Sequence, residues 1–242
     1  MNPDLPRVYR WHPVADDAAL VDAAVAFILA AAAQAITARG VFHLVLAGGN
    51  TPRTVYEGLR RASAAWSKWQ IWIGDERCLP TTDAARNSLM ASTAWLDFVS
   101  IAPEAIHFIP AELGAEKAAR AYAESLDVID IFDLVLLGLG EDGHTASLFP
   151  GRDWGTGEGA LAVLPVFAAP KPPPERVSLS ARRLSQARQV LFLVSGEAKR
   201  AAVMAWRADA EIPARAIVPA AGTDIILPAT LLAAGVEAGK TN

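Results

Sequence analysis

Three apolar runs of strand length, residues 41–47, 70–74 and 132–137, each give way to a glycine-bearing loop, at Gly48-Gly49, Gly74 and Gly138. A run that is mostly apolar, rather than apolar at alternate positions, reads as a strand buried on both faces, as in a parallel sheet. Stretches of helical character lie between, at 15–38, 53–65, 87–94 and 115–126. Strand, loop and helix thus alternate. The expected fold is α/β, a mostly parallel sheet with helices on both faces in an open three-layer, Rossmann-like arrangement. Strands at 176–179, 189–194 and 224–227 and a helix at 197–206 complete the series. The irregular segments 151–159 and 168–174 are assigned to a smaller α/β lid region, the second because Pro170, Pro172, Pro173 and Pro174 exclude helix.

Local signals set the element ends. Asp16 or Asp17 caps the first helix, in which Leu20, Ala24, Phe27 and Ala31 repeat at helical spacing while Val21, Val25 and Ile28 make it apolar on more than one side. Thr51 and Pro52 offer a cap and a first-turn proline to a helix beginning at Arg53.

Composition narrows the function. With 242 residues, 52% of them apolar, the chain has material for a full core, read as one domain over 1–242. A net charge of −4 gives no long-range attraction to nucleic acid or to an anionic membrane, so an anionic ligand must be gripped locally. The single cysteine, Cys78, forms no internal disulfide, and residues 1–13 lack the apolar core of an export signal. The early apolar run at 23–33 is shorter than the roughly 20 residues a membrane span needs. A cytoplasmic protein acting on a small molecule, as monomer or homodimer, is expected.

Ligands of open parallel sheets bind beyond the C-terminal strand ends. Gly48, Gly49, Asn50 and Thr51 lie at one such end, where small residues let backbone approach a phosphate; a plain strand-to-helix turn reads equally well. Asp75, Glu76 and Arg77 follow Gly74 at a second, where an arginine suits bidentate capture of phosphate, the alternative being a solvated turn with a surface ion pair. At the third, Gly138, Gly140 and Gly143 match the G-x-G-x-x-G spacing of dinucleotide loops, but Pro150 would cut the helix such a site requires. What remains there is His144, with Asp142 two residues before it and hydroxyls at Thr145 and Ser147. A neutral imidazole can take a proton from water, and a carboxylate can fix its tautomer. His12, His43 and His107 have no such setting and read as surface or core residues. Lys171 and Arg176 place two cations on the proline-rich stretch, to close over an anion or merely to keep a surface loop soluble. Neither a G-x-S-x-G turn, an H-E-x-x-H pair nor a Walker loop occurs, and a zinc site is disfavoured.

Taken together, these segments resemble the 6-phosphogluconolactonase family, within a wider group that includes glucosamine-6-phosphate deaminase and ribose-5-phosphate isomerase. The resemblance rests on 46–52, on 72–80 with Asp83 and Asn87, on 138–151, on 170–176, and on the Ser195-Gly196-Glu197-Ala198-Lys199 stretch. It implies a hydrolase without cofactor or metal that opens 6-phospho-D-glucono-1,5-lactone, in the oxidative pentose phosphate pathway. By that resemblance His144 activates water, Asp142 orients His144, and Asp75 orients Arg77 or a sugar hydroxyl. Arg77, Lys171 and Arg176 hold the phosphate, and Gly48 to Thr51 line the sugar pocket. One departure is Pro228, where an acidic residue is expected after the last strand. The rival readings are a deaminase or isomerase of amino sugar phosphates, for which Gly74 to Arg77 is a poor match, and a non-catalytic sugar-phosphate sensor domain.

Overall fold

The computed structural model describes residues 7–233. Residues 1–6, part of the stretch read for an export signal, and residues 234–242 lie outside the described residues. In chain order the elements are β1 (Tyr9–Val14), α1 (Asp17–Arg39), β2 (Phe42–Leu46), α2 (Asn50–Leu59), β3 (Trp69–Ile73), β4 (Asp75–Arg77), α3 (Asn87–Ala94) and β5 (Ile106–His107). There follow α4 (Ala115–Ser125), β6 (Phe132–Gly138), β7 (Val163–Val166), β8 (Arg176–Leu179), α5 (Ala181–Ser185), β9 (Ala187–Leu193), α6 (Arg200–Arg207) and β10 (Thr223–Pro228).

Seven strands form one sheet in the order β1-β10-β9-β6-β2-β3-β5, and each neighbouring pair is parallel. The apolar runs occupy its middle: Phe42, Leu44, Val45, Phe132 and Leu134 to Leu137 are buried. From β2 the chain moves on to β3 and β5 on one side, and from β6 to β9 and β10 on the other. The gap between β2 and β6 is therefore a topological switch point, where the connections diverge and leave a crevice beyond the strand ends.

Helix α1 shows why a helix can be apolar on two sides. Asp16 caps it by accepting a hydrogen bond from Ala19 N at 2.9 Å, and Gly40, in the left-handed region, closes it. Leu20, Ala24, Ile28, Ala31 and Ala35 are buried, while Val21 and Val25 meet α2 where Gly58 leaves room for them. A Cβ on Gly58 would lie 2.9 Å from Val25 Cγ2. The helix is longer than the apolar run at 23–33, and its length and composition are those a spanning helix would also have.

The structure departs from expectation in several places, and β5, β7 and α5 are elements for which the sequence gives no expectation. The helix expected from Arg53 already begins at Asn50 and ends at Leu59, so Thr51 and Pro52 lie inside its first turn and Gly49, at φ +107°, takes the cap position. The helix expected from Glu197 opens as one tight 3₁₀ turn, Glu197–Lys199, before α6. Strand β1 pairs with β10 at the sheet edge and carries Pro13, a residue an edge tolerates. Finally, Asp75 to Arg77 form a strand rather than a loop. Gly74 donates its N–H to Leu46 O at 3.0 Å and accepts from Leu179 N at 2.8 Å, so the chain passes at this glycine from the main sheet into a second one. That second sheet is antiparallel, in the order β4-β8-β7, with α4 packed on β7 and β8; a smaller region is thus present, but it is built from 75–77, 163–166 and 176–179 rather than from the expected segments 151–159 and 168–174.

Candidate active site

The loops after β2, β3 and β6, joined by the proline-rich stretch and by the turn after β9, enclose a cavity of about 320 Å³. This lies at the lower end of the roughly 300–1,000 Å³ that small-molecule sites occupy. Its lining includes Gly48, Gly49, Asp75, Arg77, Asn87, Gly138, Gly140, His144, Lys171, Arg176 and Lys199. Four cations thus face a single carboxylate, in a chain whose net charge is −4.

His144 is fixed by its own loop. Asp142 accepts a hydrogen bond from the His144 backbone N–H at 3.2 Å, and its carboxylate also meets the ring Nδ1. A carboxylate accepts only, so Nδ1 carries the proton and the neutral ring keeps its basic lone pair on Nε2. The ring sits against Gly140, where a Cβ would come 1.9 Å from Nδ1, and Gly140 N–H donates to His144 O at 2.7 Å. Phe149 also packs on the ring, centroids 4.9 Å apart, with the Arg176 guanidinium 5.5 Å from the Phe149 centroid. Burial pushes the His144 pKa below its ordinary value; Asp142 opposes the shift and the Lys171 charge adds to it. Burial raises the Asp142 carboxyl, but its bonds to His144 outweigh this and hold it below the usual carboxylate range.

The cations come from different segments. Arg77 and Arg176 are directly paired across β4 and β8. Two like charges in register repel unless an anion or a carboxylate sits between them. Arg77 places Nη1 on Ala85 O and, among the described residues, leaves a buried Nε with no partner. Arg176, only 5% exposed, donates to Pro173 O at 3.1 Å, Lys171 O at 2.9 Å and Pro172 O at 3.1 Å. It thereby ties the proline-rich stretch down from beneath, and Ala169 N–H to Pro174 O at 2.9 Å closes that stretch on itself. Lys199 reaches the same cavity from the turn after β9, its Nζ 4.0 Å from Glu141.

Asp75 lies beneath the cations. It accepts from Ser147 Oγ at 2.6 Å and from Asn87 Nδ2 at 3.2 Å, and has no hydrogen bond to Arg77 among the described residues. Glu76, its neighbour, points the opposite way along the strand and is fully buried. Its carboxylate accepts from the N–H groups of Arg77, Asn87 and Ser88 at 2.7–2.8 Å and pairs with Arg86 Nε at 3.2 Å. One carboxylate therefore supplies the N-terminal turn of α3 with acceptors and fixes both Arg77 and Asn87.

Of the residues singled out from sequence, Gly48, Gly49, Asp75, Arg77, His144, Lys171 and Arg176 line one cavity, with Asp142 behind His144. Asn50 and Thr51 do not line it, because they open α2. The other histidines lie elsewhere: His12 meets Asp224 at 2.7 Å, while Trp72 stacks on His107 and donates Nε1–H to His43 at 3.3 Å. Pro228 is the buried last residue of β10. Asn87 and Lys199 were given no role from sequence. The rule of strand ends could have found Lys199, since β9 borders β6, but Asn87 heads a helix and no strand-end rule points to it.

Comparison with known proteins follows the same outline. The family model for glucosamine-6-phosphate isomerases/6-phosphogluconolactonase matches residues 15–226. The chain is 37% identical over 226 residues to a 6-phosphogluconolactonase of Streptomyces coelicolor, covering 86% of this chain and 85% of that one. It is 36% identical over 213 residues to one of Synechocystis, covering 83% and 87%. Among solved structures, the 6-phosphogluconolactonase of Thermotoga maritima superposes with a TM-score of 0.84 at 28% identity, covering 91% of this chain and 100% of that one.

Proposed function

The chain belongs to the glucosamine-6-phosphate isomerase/6-phosphogluconolactonase family, and from that premise we propose that it is a hydrolase opening 6-phospho-D-glucono-1,5-lactone to 6-phospho-D-gluconate, with His144 as general base. The observation that carries this reading is the convergence of the His144–Asp142 pair with Arg77, Lys171, Arg176 and Lys199 on one cavity. A ring ester with a phosphate at its far end needs both a base and a cluster of cations.

In this mechanism the neutral Nε2 of His144 takes a proton from water as the water oxygen adds to the lactone carbonyl C1. The tetrahedral intermediate then collapses, the bond from C1 to the ring oxygen breaks, and the imidazolium returns the proton to the departing oxygen. The product acid ionises at neutral pH and the histidine is neutral again. Asp142 holds the tautomer and steadies the transient imidazolium. Arg77, Lys171 and Lys199 take the phosphate. Arg176 contributes charge from beneath, because most of its donors are spent on the carbonyls of the proline-rich stretch.

Because the lactone also hydrolyses unaided, the test compares its loss with the native protein, with His144→Ala and with buffer alone. The substitution is expected to lower the protein-dependent rate by about 10²–10⁴-fold, the usual contribution of a positioned base, with an unchanged circular dichroism spectrum. A His144→Ala protein as fast as the native one overturns the assignment. Ammonia release from glucosamine 6-phosphate would instead support the deaminase reading.

A further inference from the structure

We infer that Asn87, held by Asp75, is a specificity-determining residue that accepts a hydrogen bond from one ring hydroxyl of the substrate, so that the site selects a polyhydroxylated sugar lactone over its deoxy counterparts. The inference rests on the lactonase reading for its substrate class.

Asn87 is only 4% exposed, yet it lines the cavity. Its amide has a forced orientation. Nδ2 donates to Asp75 O at 2.8 Å and to Asp75 Oδ1 at 3.2 Å, and both of those atoms can only accept, so the NH₂ group must face them. Rotation by half a turn would set the amide oxygen against two acceptors. Oδ1 is consequently turned away from Asp75, and the whole amide lies against Gly48, where a Cβ would come 2.1 Å from Oδ1, 2.4 Å from Cγ and 2.6 Å from Nδ2. Gly48, without a side chain, leaves room for the amide, and both residues line the cavity. Asn87 Oδ1 takes no hydrogen bond among the described residues, whereas the other groups of this network are engaged: Asp75 Oδ2 accepts from Ser147 at 2.6 Å and the Asn87 N–H goes to Glu76 at 2.7 Å.

A fixed, acceptor-only atom on a cavity wall selects a donor. Among the groups of a sugar lactone phosphate, the ring hydroxyls alone donate, since the ester and the ionised phosphate offer acceptors. An analogue without the matching hydroxyl leaves Oδ1 desolvated and unpaired, and sites built around such a bond discriminate more strongly than apolar pockets do. The surrounding cations read the phosphate; this amide reads the ring.

The test measures kcat/KM for 6-phosphoglucono-1,5-lactone and for its 2-, 3- and 4-deoxy analogues, with the native protein, Asn87→Ala and Gly48→Ala. The native protein is expected to disfavour one of the three analogues by about tenfold or more. In both variants that one preference falls to within about twofold while the other two stay as they were. Gly48→Ala retains Asn87 but sets a methyl where its amide lies and so displaces Oδ1, which decides the matter if Asn87→Ala melts early. Equal preferences in native and variant proteins at all three positions overturn the inference. Should the native protein fail to speed lactone opening, the lactonase reading falls by itself. Calorimetric Kd values for 6-phosphogluconate and its deoxy acids then judge Asn87 on the same criterion.

Discussion

At the scale of single residues, His144 is governed by two opposing influences, burial and Asp142, and their signs give a pH profile. The base acts in its neutral form, so the rate should fall as pH drops through the His144 pKa, which burial holds below its ordinary value of 6.5. The rate of the native protein should therefore be level across neutral pH, with an acid limb below 6.5. Asp142 raises that pKa, so Asp142→Asn should move the limb to still lower pH. It should also reduce the plateau about 10–100-fold, because a weaker and less firmly oriented base transfers protons more slowly. A kcat–pH series for the two proteins checks both effects, and a limb that stays in place would remove Asp142 from the mechanism. Among the described residues the Arg77 side chain donates through Nη1 to Ala85 O, and its buried Nε has no partner. Arg77→Ala should raise KM by about tenfold or more with kcat changed little, as expected for a lost charge-assisted bond; an unchanged KM counts against its role. His144 was legible in the sequence because three glycines and an acid surround it within one loop. The role proposed for Asn87 was not, although the residue carries part of the resemblance, because that role depends on a partner 12 positions away that only the fold brings near.

At the scale of elements, the junction of β4 with α3 is the part most sensitive to a single change. Glu76 and Arg86 are buried, 0% and 2% exposed, and each is the other's charge partner. Removing one member of such a pair leaves an uncompensated charge in the interior, so Glu76→Ala should destabilise the protein by about 3–5 kcal/mol in urea unfolding. A change under about 1 kcal/mol would show that Glu112, 3.1 Å from Arg86, suffices alone. The same junction explains which elements the sequence conceals. Apolar runs such as 132–137 announce a strand because burial on both faces demands it. Helix 87–94 is likewise found where expected. Strand β4, by contrast, is Asp-Glu-Arg, and nothing in that composition suggests a strand; its conformation is imposed by pairing with β8 and by the handover at Gly74. The early start of α2 is concealed for a similar reason, since Gly49 rather than a polar side chain takes the cap position.

At the scale of the whole molecule, the cavity exists only when strands distant in sequence lie side by side, and its charge is opposite to that of the chain. Arg77 and Arg176 stand in register, with Lys171 and Lys199 at the same cavity, in a protein of net charge −4. Like charges held together by the fold cost stability until an anion joins them, so ligand and fold should be coupled. A ligand that binds only the native state stabilises it by RT ln(1 + [L]/Kd), about 2.7 kcal/mol at a hundredfold excess over Kd. The product 6-phosphogluconate should thus raise the melting temperature of the native protein, by roughly 2–4 °C per kcal/mol for a chain of this size. His144→Ala should retain the whole shift, since the histidine is placed at the reacting carbon rather than at the phosphate. Arg77→Ala and Lys199→Ala should lose most of it, and 0.5 M sodium chloride should shrink it in every protein, because exposed charges are screened within a few ångströms at that ionic strength. Thermal unfolding with and without the product separates these outcomes. A native protein whose melting temperature ignores the product, or a Lys199→Ala protein that still responds in full, would detach the cationic cluster from the phosphate.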